Sequence, residues 1–323
     1  MGAGGMARTH AAMYARMKGV EIAGFYGRHE GRARKTAKAF GAVATTNLNH
    51  ILKDDTIEAV DVVVPSGVHR RFVVDALECG KHVFCETPLA LTMRDADAMI
   101  RTARRAHRFL LAAQLMRFVP DYVFARDVAR SGRLGRAILG IASRLSRPYW
   151  SKAAPRPFRT YGEPIVELMI FDFNYLNWVF GLPSKVTAHG LVGARGVADH
   201  ILATLHYPRA LGLVEGSARM PESFPFNTRL RIHFERGLIE SDFRFKPGGF
   251  SDSCVEFSHD GQGRRARVTG GDPYRAECRY FVSSVLGKAD PSLIDAVHDR
   301  DALRVALAVR EAFGTGHSVP LTW

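Results

Sequence analysis

The feature that most constrains the fold is a regular alternation of helical and strand-like patterns over the first third of the chain. Short apolar runs typical of strands occur at residues 20–26, 57–64, 83–85 and 110–115. Helical patterns occur at residues 9–18, 30–40, 69–79 and 93–107. Strands that alternate with helices of this length predict a parallel, doubly wound α/β sheet that ends near residue 118.

Beyond residue 117 the pattern changes. Strand patterns at residues 138–144, 185–191, 200–206, 211–217, 230–234 and 237–242 follow one another, mostly without helices between them. Such a series is typical of an open, mostly antiparallel sheet. Long helices are predicted only at residues 164–180 and 301–313. The sequence therefore predicts an α/β domain at residues 1–118 and an α+β domain at residues 119–323.

Composition narrows the possible functions. The chain has 323 residues, of which 46% are hydrophobic and 24% are charged, as in folded globular proteins. Its net charge of +13 would suit an anionic partner, but the basic residues are scattered, and the densest group, at 101–108, lies on an amphipathic helix pattern. We therefore predict no nucleic-acid partner.

The cysteines and the apolar runs indicate where the protein resides. The four cysteines form no C-x-x-C pair and no metal-binding spacing with histidine, so we expect free thiols and no metal site. No apolar run approaches the ~20 residues needed to cross a membrane. The N-terminus also shows no export signal. We expect a cytoplasmic protein without a membrane partner.

The chain opens with the glycine-rich sequence GAGGMA, which fits the pattern G-x-G-x-x-A and precedes a helical segment. Its glycines allow a tight turn and the close approach of a pyrophosphate to the helix N-terminus. In this context a dinucleotide site is favoured over an ordinary turn. The candidate phosphate-binding residues are Gly2, Gly4, Gly5, Met6 and Ala7.

The strand that normally precedes such a turn is not present, because only Met1 comes before Gly2. That strand would be central, with neighbours on both sides, so its absence would leave two ladders unpaired. We therefore expect the natural chain to extend upstream by roughly 5–8 residues, the length of one strand.

The end of the second strand pattern, FYGRHEGRA, bears on the choice of cofactor. A site that prefers NAD usually has an acidic residue here to bind the ribose 2′-hydroxyl. This chain has Gly27 and Arg28 instead, with Arg32 and Arg34 nearby. The change removes the repulsion of a 2′-phosphate, and Arg28 supplies a planar guanidinium that can bind it. The sequence predicts NADP(H) as the cofactor, although a solvated arginine in a loop would show the same pattern.

Several motifs in order resemble one known family. The opening GAGGMARTH, the block VDVVVPSGVHRRFVVDALECGKHVFCETPLA, the crossover segments QLMRFVPDY and SGRLG, and the helical segment YGEPIVELMIFDFNYLNWVFG are similar to the glucose-fructose oxidoreductase, inositol dehydrogenase and MocA family. The resemblance implies a Rossmann-type domain followed by an α+β domain with an open sheet. It also implies further cofactor-binding residues, which are Pro65, Ser66, His69, Glu86, Thr87 and Gln114.

The same resemblance implies hydride transfer between the nicotinamide and a hydroxyl-bearing carbon, which needs a positioned acid or base. In the family a Glu-Lys-Pro lysine and a helix histidine fill that role, and here the corresponding residues are Thr87 and Phe171. Neither side chain can act by itself as an acid or base near neutral pH. A pocket with these residues should be less cationic and more apolar than that of relatives with lysine and histidine.

Three other residues are candidates for the displaced acid or base. Glu167 stands at the family's usual aspartate position, one helical turn from Phe171 on the same helix face. Tyr161 lies just before the helix, and Lys152 lies in the Pro-rich loop RPYWSKAAPRPFRT, which the resemblance implies borders the substrate. Each has an ordinary structural alternative, since Glu167 could simply cap or pair. Aromatic residues of the preceding loop suit either sugar stacking or packing, and they are Tyr149, Trp150 and Phe158.

The leading hypothesis is an NADP-dependent oxidoreductase that acts on a carbohydrate-like or other polyhydroxylated small molecule with a non-standard acid/base. The alternative is a catalytically inactive dinucleotide-binding protein that acts as a sensor or structural subunit. The strands HILATLHY and LGLVEGSA carry apolar residues on both alternations. An open sheet with an apolar outer face predicts a homo-oligomer.

Overall fold

The computed structural model describes residues 1–148, 161–246, 249–258, 261, 263–266, 268 and 270–323. The chain forms two compact units. The first comprises Met1–Phe118 and Gly271–Arg300, and the second comprises Val119–Gly270 and Asp301–Trp323. One division of the chain follows residue 118, and residues 271–300 belong to the first unit although they come late in the sequence.

The first part of the chain alternates helices and strands. In order they are α1 (Gly5–Tyr14), β1 (Gly24–Tyr26), α2 (Glu30–Lys38), β2 (Val43–Thr45), α3 (Asn49–Leu52), β3 (Ala59–Val62), α4 (His69–Glu78), β4 (His82–Cys85), α5 (Met93–Ala106) and β5 (Leu110–Ala112). Short 3-10 helices occupy Ser66–Val68 and Leu115–Arg117. The predicted strands are present, and each strand of this part has three or four residues.

The rest of the chain is richer in strands. Its elements are α6 (Pro120–Ser131), β6 (Ala137–Leu145), α7 (Pro164–Glu167), α8 (Ile170–Phe180), β7 (Lys185–Val192), β8 (Ala198–Tyr207), β9 (Ala210–Ser217), β10 (Asn227–Phe234), β11 (Gly237–Lys246), β12 (Gly249–Ser258), β13 (Arg264–Arg265), α9 (Pro273–Val285), α10 (Ala296–Thr315) and β14 (Val319–Pro320). A further 3-10 helix lies at Pro291–Ile294.

The parallel strands of the first unit lie in two groups, β1 with β2 and β3 with β4 and β5. Met1 and Gly2 lie between the groups, because the Gly2 amide donates to the Tyr26 carbonyl and the Val63 amide donates to the Met1 carbonyl, both at 2.9 Å. A cleft of about 480 Å³ is lined by residues on both facing edges, including Gly24 and Val60. The two ladders thus flank the segment that contains Met1 and Gly2.

Residues 271–300 belong to the first unit because α9 completes its apolar core. Cys278 and Phe281 of α9 are buried in one cluster with Met13, Phe84 and Leu111. The Phe281 ring stacks on Phe84 of β4, with 5.1 Å between the ring centroids. Burial of this apolar face stabilises the unit by removing it from water. Sequence periodicity cannot show which distant sheet a helix will cover.

Three helix boundaries differ from those predicted. The first helix begins at Gly5 and not at residue 9, because the glycine-rich turn itself forms its first turn. The helix predicted at residues 164–180 is broken into α7 and α8, and the Met169 carbonyl accepts the first bonds of the second helix from Asp172 and Phe173. The closing helix begins at Ala296, five residues before the predicted start.

The second unit contains a nine-stranded sheet within the described residues, in the order β13-β12-β11-β10-β6-β9-β8-β7-β14. All neighbouring pairs are antiparallel except β6 with β9. Helix α8 packs closely on one face, because a Cβ atom at Gly140 would lie 2.6 Å from the Phe180 ring. The open, mostly antiparallel sheet predicted from the sequence is confirmed.

Candidate functional site

The glycine-rich turn has the geometry of a phosphate-binding loop. Gly2 has φ +115°, and a Cβ atom there would lie 2.7 Å from the Val63 carbonyl oxygen, so no other residue fits without strain. Gly4 and Gly5 open onto free space, where a Cβ atom would meet nothing within 4 Å. No side chain caps α1 at Gly4. The first amides of α1 can therefore bind an anion that approaches the backbone closely.

The end of β1 lies beside this turn. A Cβ atom at Gly27 would be 3.4 Å from the Ala3 Cβ, so the two segments are in near contact. The Thr36 hydroxyl donates to the Ala3 carbonyl at 3.2 Å and ties α2 to the same turn. Arg28 follows Gly27 and its side chain is exposed to solvent. The turn and Arg28 are therefore close enough to serve one nucleotide.

The other predicted cofactor residues of the first unit follow the ends of three parallel strands. Pro65 and Ser66 follow β3, Glu86 and Thr87 follow β4, and Gln114 follows β5. The carboxyl ends of parallel strands meet at one edge of a sheet, which is where ligands bind in doubly wound folds. Met6 and Ala7 lie in the first turns of α1, and Ala7 packs in the core.

His69 joins two of these strand ends. Its Nε2 lies 2.8 Å from the Val64 carbonyl oxygen, and its Nδ1 lies 3.1 Å from that of Pro88. Burial lowers the pKa of His69. Because the ring is buried and both nitrogens face the main chain, the structure gives His69 the role of holding the loops that follow β3 and β4.

A second buried histidine connects the phosphate turn to the end of β4. His10 of α1 lies 2.8 Å from Asp61 through Nδ1 and 3.3 Å from Glu86 through Nε2. Burial opposes protonation, but Asp61 and Glu86 outweigh it and raise the pKa of His10 well above its ordinary value. Sequence analysis missed this cluster, although Asp61, an acid in the middle of an apolar strand run, was a usable signal.

Thr87, at the family's lysine position, has a buried carboxylate as its partner. The Thr87 hydroxyl donates to Asp299 Oδ1 at 2.5 Å, and the Leu89 amide donates to Asp299 Oδ2 at 2.6 Å. Asp299 lies in the first turn of α10 and is fully buried. Burial raises the pKa of Asp299 to about 6, against the opposing effect of the Thr87 and Leu89 hydrogen bonds. The sequence prediction missed Asp299 because it began this helix at residue 301.

The candidates of the second unit are placed differently. Glu167 accepts a hydrogen bond from the Gly162 amide at 2.7 Å, which is the capping role that the sequence left open. Because the helix breaks after Glu167, the prediction that Glu167 lies one turn before Phe171 within a single helix is wrong. Tyr161 is half-buried. Lys152 lies outside the described residues, as do Tyr149, Trp150 and Phe158.

Phe171 lies next to a buried ion pair. Arg144 of β6 donates to both carboxylate oxygens of Asp172, at 2.9 and 3.0 Å. The Arg144 guanidinium also lies 4.9 Å from the centroid of the Phe171 ring. Asp172 therefore forms a bidentate ion pair with Arg144 in the core of the second unit.

The described part of the chain holds no group of three or more His, Cys, Asp or Glu side chains arranged to bind a metal ion. None of its helices is both long enough and apolar enough to span a membrane.

The glycine-rich turn and the polar strand ends define a dinucleotide-binding protein of the Rossmann class. Residues 1–114 match the Gfo/Idh/MocA profile described as "Oxidoreductase family, NAD-binding Rossmann fold", and residues 122–240 match the profile of the GFO/IDH/MocA C-terminal domain. The chain belongs to the Gfo/Idh/MocA family and is an NAD(P)-dependent oxidoreductase that acts on hydroxyl or carbonyl groups. The sequence resemblance is thereby confirmed.

Individual relatives agree with this assignment. The uncharacterized oxidoreductase ORF334 of Rhizobium meliloti is 33% identical over 93% of this chain and 91% of its own length. The myo-inositol 2-dehydrogenase of Thermotoga maritima is 24% identical over 90% of this chain and 88% of its own length. The crystal structure of the aldose-aldose oxidoreductase of Caulobacter crescentus shares the fold, with a TM-score of 0.86 and 20% identity over 97% of this chain and 96% of that one.

Proposed function

We propose that this chain is an NADP(H)-dependent oxidoreductase whose substrate is a polyhydroxylated small molecule of the carbohydrate or cyclitol type. The observation that carries the cofactor preference is the position of Gly27 and Arg28 beside the phosphate turn. The names of relatives support the substrate class, since they include a myo-inositol 2-dehydrogenase and a 1,5-anhydro-D-fructose reductase.

The charges around Arg28 favour a 2′-phosphate. An acidic residue in place of Gly27 or Arg28 would repel it, whereas the exposed guanidinium of Arg28 can bind it through two parallel hydrogen bonds. Glu30, a nearby acid in the chain, forms a pair with Arg34 at 2.6 Å. The negative charge of Glu30 is thereby partly compensated.

A fluorescence titration with NADPH and NADH tests this preference. We expect the wild type to bind NADPH more tightly, and Arg28→Ala to weaken NADPH binding about 10–100-fold while leaving NADH nearly unchanged, because a charge-assisted hydrogen bond contributes ~1.5–3 kcal/mol. Arg104→Ala, which removes an exposed arginine from α5, is the matched control. Equal or tighter binding of NADH by the wild type would contradict the proposal.

Different residues of the chain would bind the cofactor, position the phosphate turn and transfer the proton. When bound, the nicotinamide supplies or accepts the hydride. The amides of the first turn of α1 would hold the phosphates, and the His10–Asp61–Glu86 cluster fixes that turn relative to the end of β4. The proton must move through a group other than the lysine and the histidine that the family uses, since Thr87 and Phe171 stand at those two positions. The acid/base is therefore non-standard.

Single substitutions test the candidates Glu167, Tyr161 and Lys152. A positioned acid or base typically contributes about 10²–10⁴ in rate. A residue with that role should show a loss of this size in kcat, with little change in NADPH affinity, when it is changed to Gln, Phe or Met respectively. Full activity in all three variants would remove them from the mechanism.

The joint loss of the family's lysine and histidine also favours a second candidate function. A chain that retains the phosphate turn and Arg28 but cannot move a proton would bind the dinucleotide without turnover, as a sensor or a structural subunit. A screen of carbonyl substrates that follows NADPH absorbance separates the two functions. Turnover of any compound supports the enzyme, and binding without turnover supports the inactive protein.

The outer face of the nine-stranded sheet supports a homo-oligomer. Leu202, Leu211 and Leu213 are exposed by 53%, 44% and 37%, on strands that are neighbours in the sheet. A second copy of the chain would remove this apolar surface from water. Light scattering at micromolar concentration should show a dimer or larger assembly, and a monomer would count against it. We also expect a cytoplasmic protein with no nucleic-acid partner, in keeping with the free state of its four cysteines.

A further inference from the structure

We propose that Thr87 and Asp299 form a two-residue proton relay that replaces the missing lysine. In this relay the substrate hydroxyl gives its proton to Thr87 Oγ1, and Thr87 passes its own proton to Asp299 Oδ1. Thr87 is the catalytic residue, because it would touch the substrate, and Asp299 acts through it. The relay rests on the proposed function, since it needs a substrate that is oxidised or reduced at a hydroxyl-bearing carbon.

The directions of the hydrogen bonds carry this inference. Asp299 Oδ1 accepts from the Thr87 hydroxyl at 2.5 Å, and Asp299 Oδ2 accepts from the Leu89 amide at 2.6 Å. A threonine hydroxyl has one proton, and here that proton points at Asp299. The lone pairs of Thr87 Oγ1 remain available to accept a hydrogen bond. A substrate hydroxyl bound to Thr87 is therefore held in the orientation in which it loses a proton.

The position of the pair in the fold fits the same role. Thr87 is the second residue after β4, at the edge where doubly wound sheets bind their ligands, and it is partly exposed. Asp299 lies behind it, fully buried in the first turn of α10. The carboxylate thus cannot reach a substrate itself but is in contact with a hydroxyl that can.

The charges that face Asp299 leave it able to change its protonation state. Arg117, from the 3-10 helix after β5, favours the carboxylate, while Glu86 of the turn after β4 disfavours it. The buried thiol of Cys85 also lies near this carboxylate, and its own pKa is raised well above the ordinary value, first by burial and then by Asp299. Together with burial, these groups place the pKa of Asp299 at about 6. Near neutral pH, Asp299 can therefore accept a proton and release it again.

The atoms and electrons of the step balance. In the oxidising direction the substrate carbon loses a hydride to the oxidised nicotinamide, its hydroxyl proton moves to Thr87 Oγ1, and a carbonyl forms. The original Thr87 proton then resides on Asp299 Oδ1 and is later released to solvent. In the reducing direction a protonated Asp299 returns the proton through Thr87 to the carbonyl oxygen.

Four variants test the relay in a steady-state assay with NADPH and an active carbonyl compound. Thr87→Val keeps the shape but removes the hydroxyl, and Asp299→Asn keeps the hydrogen-bonding oxygen but cannot take a proton. Both should lower kcat by about 10²–10⁴ with NADPH affinity unchanged. Thr87→Ser should retain the rate within a few-fold. Asp301→Asn, two residues further along α10, is the matched control and should keep full activity.

A second readout does not depend on turnover. Infrared spectra recorded between pH 4 and 8 should show a carboxylic acid band that titrates near the Asp299 pKa of about 6. The band should be absent in Asp299→Asn and should titrate at a different pH in Thr87→Val, because the hydrogen bond to the carboxylate is lost. The pH dependence of kcat should show the same ionisation in the wild type and lose it in Asp299→Asn.

The outcomes separate the relay from the proposed function. If the wild type turns over a substrate and Thr87→Val and Asp299→Asn keep the full rate, the relay is wrong and the oxidoreductase stands. If the wild type binds NADPH but turns over nothing in a broad screen, the proposed function and the relay both fail. Absence of a titrating band in a wild type that is active would also overturn the relay.

Discussion

The loop that follows β4 and the α7–α8 segment place acidic side chains in different surroundings. Beside the loop that follows β4, the buried Asp299 carboxylate accepts hydrogen bonds from the Thr87 hydroxyl and the Leu89 amide, and its pKa is raised to about 6. In α8, the Asp172 carboxylate accepts two hydrogen bonds from the Arg144 guanidinium. In α7, the Glu167 carboxylate accepts a hydrogen bond from the Gly162 amide. In the relay that we propose, the ability to exchange a proton belongs to the first region, whereas the acids of the second have structural partners.

The largest effect is expected where a buried charge loses its partner. Arg144→Ala leaves Asp172 buried and uncompensated, and we expect a loss of about 3–5 kcal/mol in the free energy of unfolding, measured with urea. Arg231→Ala, which breaks an exposed cross-strand pair with Glu240 in the same sheet, is the control and should cost no more than about 1 kcal/mol. Similar losses in both variants would show that the Arg144–Asp172 pair is not structural.

The next largest effect is the dependence of folding stability on pH that Asp299 causes. Folding raises the pKa of Asp299 from 3.8 to about 6, so the folded state binds more protons than the unfolded state between these values. The contribution of Asp299 to stability therefore falls as the pH rises through this window, and above it the carboxylate costs about 3 kcal/mol.

Asp299→Asn removes this cost, because it carries no charge and its amide can still bond to Leu89 and Thr87. We expect the variant to be more stable than the wild type at pH 8, by up to about 3 kcal/mol, and equally stable near pH 4. Urea unfolding at a series of pH values measures this difference. A variant that is destabilised equally at all pH values would show that Asp299 is an ordinary structural carboxylate.

The smallest effect is expected in the second region. Glu167→Gln retains an oxygen that can accept the Gly162 amide, so kcat should stay within a few-fold of the wild type and stability should change by less than about 1 kcal/mol. Steady-state kinetics and urea unfolding of this variant are the measurements. A loss of 10² or more in kcat, at unchanged stability, would show that Glu167 and not Thr87 transfers the proton.

The sequence predicted the local parts of this molecule well. The glycine-rich turn has the predicted geometry because it depends on consecutive residues, and Gly27 and Arg28 follow β1 as expected. The alternation of helices and strands identified the first sheet, and the series of consecutive strands identified the second. The strands predicted at residues 20–26, 57–64 and 110–115 are shorter in the structure, whereas those of the second unit are longer than predicted. These features depend on periodicity and turn chemistry, which are properties of short segments.

The parts that were missed depend on contacts between distant segments. Thr87 and Asp299 are 212 residues apart, and nothing near either residue indicates the other. The same holds for Asp61 with His10, which are 51 residues apart, and for α9, which returns to the first unit to cover Phe84. The break between α7 and α8 was also missed, because the apolar residues around Met169 continue the helical pattern across it.

The central claim, that Thr87 and Asp299 act as one unit, is tested most directly by a double-mutant cycle on kcat. Thr87→Val, Asp299→Asn and the double variant are compared with the wild type under identical conditions. Residues that act in one relay are strongly non-additive, so the double variant should lose no more than either single variant, about 10²–10⁴. If the two losses multiply, Thr87 and Asp299 act independently and the relay is contradicted.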